Sequence, residues 1–261
     1  MSYLPLLQAF ERQLLTNVRL IATDMDGTIT KQGKLSSDLV RTLEDLKANG
    51  VIVLIITGRS AGWVSGLSSL LPIGGAICEN GGLFYPSNGS HPLPLTPISH
   101  IATHRRQLAA TFARLQAKFP QIQESSDNPF RITDWTFDVA GLTTEDLYCL
   151  SSLCASEGWG FTFSSVQCHI KPINQDKATG LLQMLAANWN DFTPHQVLTI
   201  GDSPNDDTLF DRDKFPLSVG VANILDFQSK LSYPPAYITN APEADGFCEL
   251  ARYILNQHFL P

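Results

Sequence analysis

This chain of 261 residues has little charge and no long apolar run. Charged residues make up 16% and hydrophobic residues 43%, and this balance excludes a disordered, collagen-like or coiled-coil protein. Its most apolar stretch, Val51–Ile56, has the length of a strand and is far shorter than the roughly 20 residues of a membrane helix. No membrane partner is therefore expected, and the length predicts one large or two modest folded domains.

Cysteines and basic residues are also few. The five cysteines include no Cys-x-x-Cys pair, which predicts reduced thiols that pack as small apolar residues. The start of the chain lacks a basic segment ahead of an apolar one, so we expect no signal peptide and a cytoplasmic protein. The 18 basic and 25 acidic residues give a net charge of −7, which argues against nucleic acid as the main partner. A monomer and a small homo-oligomer both remain open.

Strand and helix patterns alternate in two parts of the chain, near its beginning and near its end. Strands are predicted at residues 18–23, 51–56, 75–78, 196–200, 217–221 and 237–239. Helices are predicted at residues 36–50, 61–71, 178–189 and 249–257. Several strands are apolar throughout, which is typical of parallel strands that are covered on both faces. We therefore predict an α/β fold whose core is a doubly wound, Rossmann-like parallel sheet.

A different pattern separates these two parts. A turn-rich segment at 86–94 is followed by helix patterns and strand-like segments that suit a small α+β module. The helices are predicted at 100–119 and 144–157, and the strands at 131–139, 160–164 and 166–171. We predict that this module is an inserted cap domain at residues 87–173. The core is then discontinuous and comprises residues 1–86 and 174–261.

Polar motifs follow three of the buried strands. Asp24–Thr28 comes after the first strand, Thr57–Arg59 after the second, and Gly201–Asp207 after the strand at 196–200. Lys177 directly precedes a predicted helix, and Lys171 is the competing choice of lysine. The carboxyl ends of strands in an open parallel sheet form the ligand-binding edge, so we expect these motifs to lie together.

The residue types in these motifs suit phosphoryl chemistry. Asp24 and Asp26 can divide the work of a nucleophile and of a general acid and base. A hydroxyl and a glycine amide at a helix start can hold a phosphoryl oxygen, and Lys177 can pair with a phosphate or a carboxylate. The acidic loop would repel itself without a cation, and Mg²⁺ prefers such carboxylates. Singly, each motif also fits a turn, a helix cap, a surface lysine or a solvated loop, but their joint order favours a function.

The ordered motifs resemble those of the haloacid dehalogenase superfamily of aspartate-nucleophile phosphohydrolases. The inserted module resembles the large cap of the Cof-like branch, which includes sugar-phosphate phosphatases, and Asn80-Gly81 also fits that branch. The resemblance covers nearly the whole core, but the cap only in the order of its elements. It implies an enzyme, a phosphomonoester hydrolase in which Asp24 forms an aspartyl-phosphate and Asp26 is the general acid and base.

The resemblance also implies a set of ligands. Phosphoryl oxygens would be held by Thr57, the Gly58 amide, Lys177 and Asn205. The cofactor Mg²⁺ would be bound by Asp24, the backbone carbonyl of Asp26, Asp202 and, through water, Asp206. Because an alkoxide needs an acid to leave whereas a halide does not, Asp26 favours phosphate hydrolysis or transfer over dehalogenation. A phosphotransferase or mutase, and a non-catalytic phospho-ligand binding protein, are the alternatives.

The predicted cap strands carry a polar face. Alternation places Asp134 and Asp138 on one side of the segment at 131–139, and His169 and Lys171 on one side of the last cap strand. We predict that these four side chains select the substrate, a small phosphorylated metabolite, with sugar phosphates as the leading class. The same pattern also fits a polar face that is only exposed to water.

Overall fold

The computed structural model describes residues 3–164 and 166–258, whose strands form a nine-stranded and a three-stranded sheet. The strands are β1 (Leu4–Pro5), β2 (Leu20–Thr23), β3 (Ile52–Ile56), β4 (Gly75–Cys78), β5 (Leu83–Pro86), β6 (Leu93–Pro94), β7 (Trp135–Asp138), β8 (Gly160–Phe163), β9 (Gln167–Lys171), β10 (Val197–Gly201), β11 (Leu217–Gly220) and β12 (Tyr237–Ile238). The α-helices are α1 (Leu6–Glu11), α2 (Ser37–Ala48), α3 (Ala61–Leu70), α4 (Ile101–Lys118), α5 (Thr144–Ser156), α6 (Lys177–Asn188) and α7 (Glu243–His258). Short 3₁₀ segments lie at Asn128–Phe130, Pro194–Gln196, Pro204–Phe210 and Ala222–Lys230.

The large sheet has the strand order β1-β12-β11-β10-β2-β3-β4-β5-β6. Its strands are parallel from β1 to β4, whereas β5 and β6 join antiparallel at one edge. The predicted α/β fold is confirmed, with a mixed rather than wholly parallel sheet. The segment at 86–94, predicted as a connector, contributes β6 and the end of β5, because its prolines and glycine form a hairpin rather than a linker.

Apolar side chains cover both faces of the large sheet. In β3, Val53 and Ile55 pack in a cluster with α2 and α7, whereas Leu54 and Ile56 pack in a second cluster with α6. This two-sided burial explains why the strand is apolar at every position rather than at alternate ones. Burying such a side chain stabilises the fold by about 1.5–3 kcal/mol.

Two helices of the core show how well local signals set their ends. Ser36 caps α2, because its Oγ accepts a hydrogen bond from the Leu39 amide at 3.1 Å, and the helix is predicted to begin here. The final helix, however, begins at Glu243 rather than at residue 249. Gly246 lies in its first turns and weakens the helical pattern. Burial of Ala244 and Phe247 in the core offsets that weakness.

The small sheet has the order β7-β9-β8 and is antiparallel. It occurs in the predicted element order, helix, strand, helix, strand, strand, and side chains of α4 and α5 pack in one apolar cluster with it. The strand β7 begins only at Trp135, so Asp134 precedes it. The division of the chain at residues 86 and 174 stays a prediction, and β6 lies in the large sheet.

The five cysteines, all within the described ranges, are free thiols. Cys78, Cys154 and Cys168 are buried, as expected of thiols that pack as small apolar residues, whereas Cys149 is exposed and Cys248 is half-buried. None of the helices in the described part of the chain combines the length and the apolarity that crossing a membrane requires.

Candidate active site

Three of the four predicted motifs meet at the carboxyl edge of the large sheet, and the fourth approaches it from a helix. Asp24 follows β2, Thr57 follows β3 and Asp202 follows β10, while Lys177 is the first residue of α6. Neighbouring strands hold this arrangement, since the amide of Asp24 donates to the carbonyl of Ile200 in β10 at 2.9 Å. Parallel pairing therefore brings together residues that are far apart in the sequence.

Lys177 joins two of the predicted motifs. Its buried Nζ donates hydrogen bonds to Oδ1 of Asp24 and to Oδ1 of Asp206, the latter at 2.6 Å. Burial raises the pKa of Asp24 to about 7, although the charge of Lys177 opposes this shift. Burial alone would lower the pKa of Lys177, but the carboxylates of Asp206 and Asp24 together raise it above its ordinary value. The lysine is therefore a fixed positive charge at the centre of the site.

Three buried carboxylates form a cluster that suits a cation. Oxygens of Asp24, Asp202 and Asp206 all lie within 4.8 Å of one another. Burial, followed by the charges of Asp24 and Asp206, raises the pKa of Asp202 well above its ordinary value. One lysine cannot neutralise three carboxylates, and oxygen ligands of this kind are the ones that Mg²⁺ takes. The residues present therefore fit a divalent cation.

The loops around this cluster are held by their own hydrogen bonds. Thr28 Oγ1 and Asn223 Nδ2 donate to the carboxylate of Asp202, at 3.1 and 3.0 Å. Asp206 Oδ2 accepts from the amides of Asp202 and Ser203, at 3.0 and 3.1 Å. Gly27 has a φ of +87°, and a Cβ there would stand 2.4 Å from Asp202 Oδ2, so this turn requires glycine.

Asp26 faces the same cavity but is paired with Arg59. The guanidinium donates from Nε to Oδ2 at 2.8 Å and from Nη2 to Oδ1 at 2.6 Å. The same guanidinium lies over the ring of Trp63, 4.4 Å from its centre. Arg59 therefore holds the carboxylate of Asp26 in place. The sequence alone does not predict this role of Arg59.

A cavity of about 240 Å³ lies above these residues, between the two sheets. Its floor includes the predicted phosphate-binding residues Thr57, Gly58 and Asn205, together with both aspartates of the first motif. The amide of Arg59 donates to Thr57 Oγ1 at 3.1 Å, so the hydroxyl of Thr57 remains able to donate to a ligand. The cavity is thus lined by donors and by paired charges rather than by apolar side chains alone.

The four predicted cap residues do not lie together. His169 lines the cavity, and its Nδ1 lies 2.8 Å from Oδ2 of the buried Asp134 behind it. Lys171 is buried outside the cavity lining and donates to the backbone oxygen of Gln175. Asp138 is exposed and is also absent from the lining. Asp134, His169 and Lys171 are buried rather than exposed to water, because the sheet's polar face turns inward.

Arg131 is a cavity residue that the sequence does not single out. Its buried guanidinium donates to both oxygens of Asp134, at 3.0 and 3.1 Å, and to the backbone oxygen of Gly58 at 2.9 Å. A further ion pair joins it to Asp127 at 2.9 Å. In the sequence, Arg131 stands four residues after Asp127 and three residues before Asp134. Such spacings are also common in ion pairs on exposed surfaces, so they do not by themselves indicate a buried site.

Burial and the contact with Asp134 determine the protonation and the tautomer of His169. Burial is the largest influence on the pKa of His169 and lowers it, and the pKa of Asp134 lies below its ordinary value because Arg131 and His169 together outweigh its burial. A neutral His169 then donates from Nδ1 to the charged Asp134, which leaves Nε2 as a hydrogen-bond acceptor. The ring lies beside Gly58, since a Cβ on that glycine would stand 3.1 Å from Nε2.

Comparison with known proteins shows which families this chain is similar to. A sequence model described as haloacid dehalogenase-like hydrolase matches residues 21–99. Phosphoglycolate phosphatase of Thermoplasma acidophilum is 26% identical over 226 residues, which are 83% of this chain and 93% of that protein. That of Methanobrevibacter smithii is 26% identical and covers 92% of this chain and all of its own length. This chain is thus similar to haloacid dehalogenase-like hydrolases over residues 21–99 and to phosphoglycolate phosphatases over most of its length. The predictions of this family and of an enzyme of the phosphatase type are confirmed.

Solved structures share the fold of this chain. A Thermoplasma acidophilum protein has a TM-score of 0.73 at 20% identity and covers 91% of this chain and 98% of its own. The C-terminal domain of trehalose-6-phosphate phosphatase from C. albicans has a TM-score of 0.69 at 15% identity, over 98% of this chain and 99% of its own. At these identities the likeness establishes the fold alone.

Proposed function

We propose that this protein is a Mg²⁺-dependent phosphomonoester hydrolase that acts on a small phosphorylated metabolite in the cytoplasm. The observation that carries the proposal is the environment of Asp24. Its buried carboxylate accepts a hydrogen bond from Lys177, lies beside two further carboxylates and opens on the floor of a small polar cavity. This is the arrangement that an anionic nucleophile needs if it is to approach an anionic phosphate.

In this proposal each core residue has one task. Asp24 attacks phosphorus and forms an aspartyl-phosphate, while Asp26 gives a proton to the departing alkoxide and later takes one from water. The phosphoryl oxygens are held by Thr57, the Gly58 amide, Lys177 and Asn205. Arg59 keeps Asp26 oriented through its two hydrogen bonds.

The cation would be held by Asp24, Asp202, Asp206 and the backbone carbonyl of Asp26. When bound, Mg²⁺ supplies positive charge that stabilises the charge of the transferring phosphoryl group. Lys177 supplies a second, permanent positive charge, because its two carboxylate partners hold its pKa high.

The upper part of the cavity favours a substrate with hydroxyl groups over one with a second anionic group. Among the described residues that line it, the cations Arg59 and Arg131 are both already paired with carboxylates. His169 is neutral and offers an acceptor, Nε2, which suits a hydroxyl donor. We therefore propose a sugar or polyol monophosphate as the substrate class, in contrast to the phosphoglycolate named in the relatives.

A matched series of two-carbon esters tests this proposal. With Mg²⁺ present, phosphate release should be measured from 2-hydroxyethyl phosphate, ethyl phosphate and phosphoglycolate, together with a panel of sugar phosphates. We expect kcat/KM to be highest for the hydroxylated esters and lowest for phosphoglycolate. Preference for phosphoglycolate would refute the substrate class alone.

Asp24→Asn is the control for the mechanism, because it is isosteric and cannot act as the anionic nucleophile. Equal activity of this variant and the wild-type protein, or no release from any ester, would refute the hydrolase itself. Transfer of phosphate to a second metabolite, without free phosphate, would instead indicate the phosphotransferase alternative.

A further inference from the structure

The turn between β4 and β5 has an unusual backbone next to the proposed phosphate site. Glu79 and Asn80 both have a φ of +52°, a left-handed conformation that residues with a Cβ rarely adopt. The turn is nevertheless held from the site side, because the amide of Asn80 donates to the backbone oxygen of Thr57 at 3.0 Å. Non-glycine residues in this region are concentrated at functional sites.

The side chain of Asn80 ends a chain of hydrogen bonds. Ser203 Oγ donates to Asn205 Oδ1 at 2.6 Å, and Asn205 Nδ2 donates to Asn80 Oδ1 at 3.1 Å. Asn80 is 1% exposed, and within the described ranges its own Nδ2 has no hydrogen-bond partner. If the side-chain amide of Asn80 were turned by 180°, its NH₂ group would face the NH₂ group of Asn205. The contact with Asn205 therefore determines the orientation of the Asn80 amide.

A purely stabilising role does not explain this arrangement. A buried donor without a partner destabilises the folded state, and so does a left-handed backbone, although asparagine tolerates it better than other residues with a Cβ. In return, Oδ1 of Asn80 accepts a hydrogen bond from the side-chain amide of Asn205. Asn205 lines the cavity and is one of the residues assigned to phosphate in the proposed function.

We propose that Asn80 is a positioning residue for phosphate binding. Its carbonyl oxygen holds Asn205 so that one Nδ2 hydrogen is engaged and the other is free to donate to a phosphoryl oxygen. Because Ser203 occupies the carbonyl oxygen of Asn205, the amide cannot turn that acceptor toward the phosphate. This inference rests on the proposed function, since it assumes that the cavity binds a phosphate group.

The test measures the affinity for inorganic phosphate, which does not depend on turnover. Calorimetric titrations with Mg²⁺ present should compare the wild-type protein with Asn80→Gly, Asn80→Ala, Asn205→Ala and the double variant Asn80→Gly/Asn205→Ala. We expect the Kd of phosphate to rise about 10-fold in each single variant, as for the loss of a hydrogen bond to a charged group. The double variant should bind no more weakly than Asn205→Ala, because Asn80 acts only through Asn205.

Glycine and alanine at position 80 separate positioning from stability. Both remove the acceptor, but alanine is strained at a φ of +52° whereas glycine is not. The two variants should therefore agree in the Kd of phosphate and differ in Tm. Asn88→Gly, in the exposed turn that precedes β6, is the matched control and should leave the Kd unchanged.

Three outcomes would overturn the inference while leaving the proposed function intact. These are an unchanged Kd in both Asn80 variants, additive losses in the double variant, or a Kd that follows Tm rather than the loss of the acceptor. A wild-type protein that binds no phosphate would overturn the proposed function and this inference together.

Discussion

At the scale of single residues, the proposed role of Asp26 as a general acid can be tested by varying the leaving group of the substrate. An acid contributes most when the departing oxygen is basic, and little when the leaving group is stabilised on its own. We expect Asp26→Asn to lower kcat about 10²- to 10⁴-fold for alkyl phosphates. The loss should be much smaller for p-nitrophenyl phosphate, whose leaving group needs little protonation.

The control for this experiment is a variant of Arg59, the residue that is paired with Asp26. Arg59→Gln removes the partner of Asp26 but leaves the carboxylate, so it should lower kcat less than Asp26→Asn does. An equal loss for both types of ester in Asp26→Asn would contradict the assignment of Asp26 as the acid.

Asp24 gives a second residue-scale prediction, on pH and stability. Its pKa is about 7 in the folded chain and 3.8 in the reference state, so the folded state holds the extra proton between these values. Taken alone, Asp24 therefore makes the metal-free protein most stable near pH 4 and less stable as the pH rises towards 7. Two lowered pKa values act in the opposite sense, that of Asp134 below about pH 4 and that of the buried His169 within this window, so the contribution of Asp24 is measured as the difference between the wild-type protein and a variant.

Urea unfolding in a chelating buffer at several pH values measures this dependence. Asp24→Asn cannot lose the proton, so its stability should decline less between pH 4 and 7 than that of the wild-type protein. Added Mg²⁺ favours the charged carboxylates, and it should therefore stabilise the wild-type protein more at pH 7 than at pH 5. A pH dependence that is the same in Asp24→Asn and in the wild-type protein would contradict the raised pKa of Asp24.

At the scale of elements, the turn after β4 connects the two sheets through one buried carboxylate. Glu79 accepts hydrogen bonds from the amides of Ala61, Ile132 and Thr133, at 2.9, 3.0 and 2.6 Å. In Glu79→Gln one of the two acceptor oxygens becomes an NH₂ group, which cannot accept these hydrogen bonds. We therefore expect the substitution to lower the free energy of unfolding by about 1–3 kcal/mol. Urea unfolding measures this, with the exposed Glu44→Gln as a control that should change stability little.

The core elements could be predicted because their signals are local. The run Val51–Ile56 and the polar residues directly after it mark a strand end without any knowledge of its neighbours. The positions of Asp138 and Lys171 could not be predicted in this way. Alternation tells which side of a strand a residue occupies, but not whether that side meets a cavity, solvent or another element.

The difference between local and long-range signals also explains why the sequence does not reveal two residues near the site. Arg131 and Glu79 are recognisable only when the segment before β7 is placed against the large sheet, since each makes hydrogen bonds both to that segment and to the residues from the end of β3 to the start of α3. The spacing of the motifs could indicate that Asp24, Asp202 and Lys177 converge, because parallel sheets always gather strand ends. No comparable rule relates an inserted module to the sheet beneath it.

At the scale of the whole molecule, Arg131 joins the segment before β7 to the loop after β3, which is proposed to bind phosphate. It donates to the backbone oxygen of Gly58 in that loop and is paired with Asp127 and Asp134 in its own segment. Arg131→Lys keeps the positive charge, but a lysine cannot make this planar set of hydrogen bonds. We expect the free energy of unfolding to fall by about 1–3 kcal/mol and the KM for the best substrate to rise, because Gly58 and His169 both lose their support. The exposed Arg106→Lys is the matched control, and an unchanged KM despite the lost stability would show that Arg131 supports the fold without shaping the cavity.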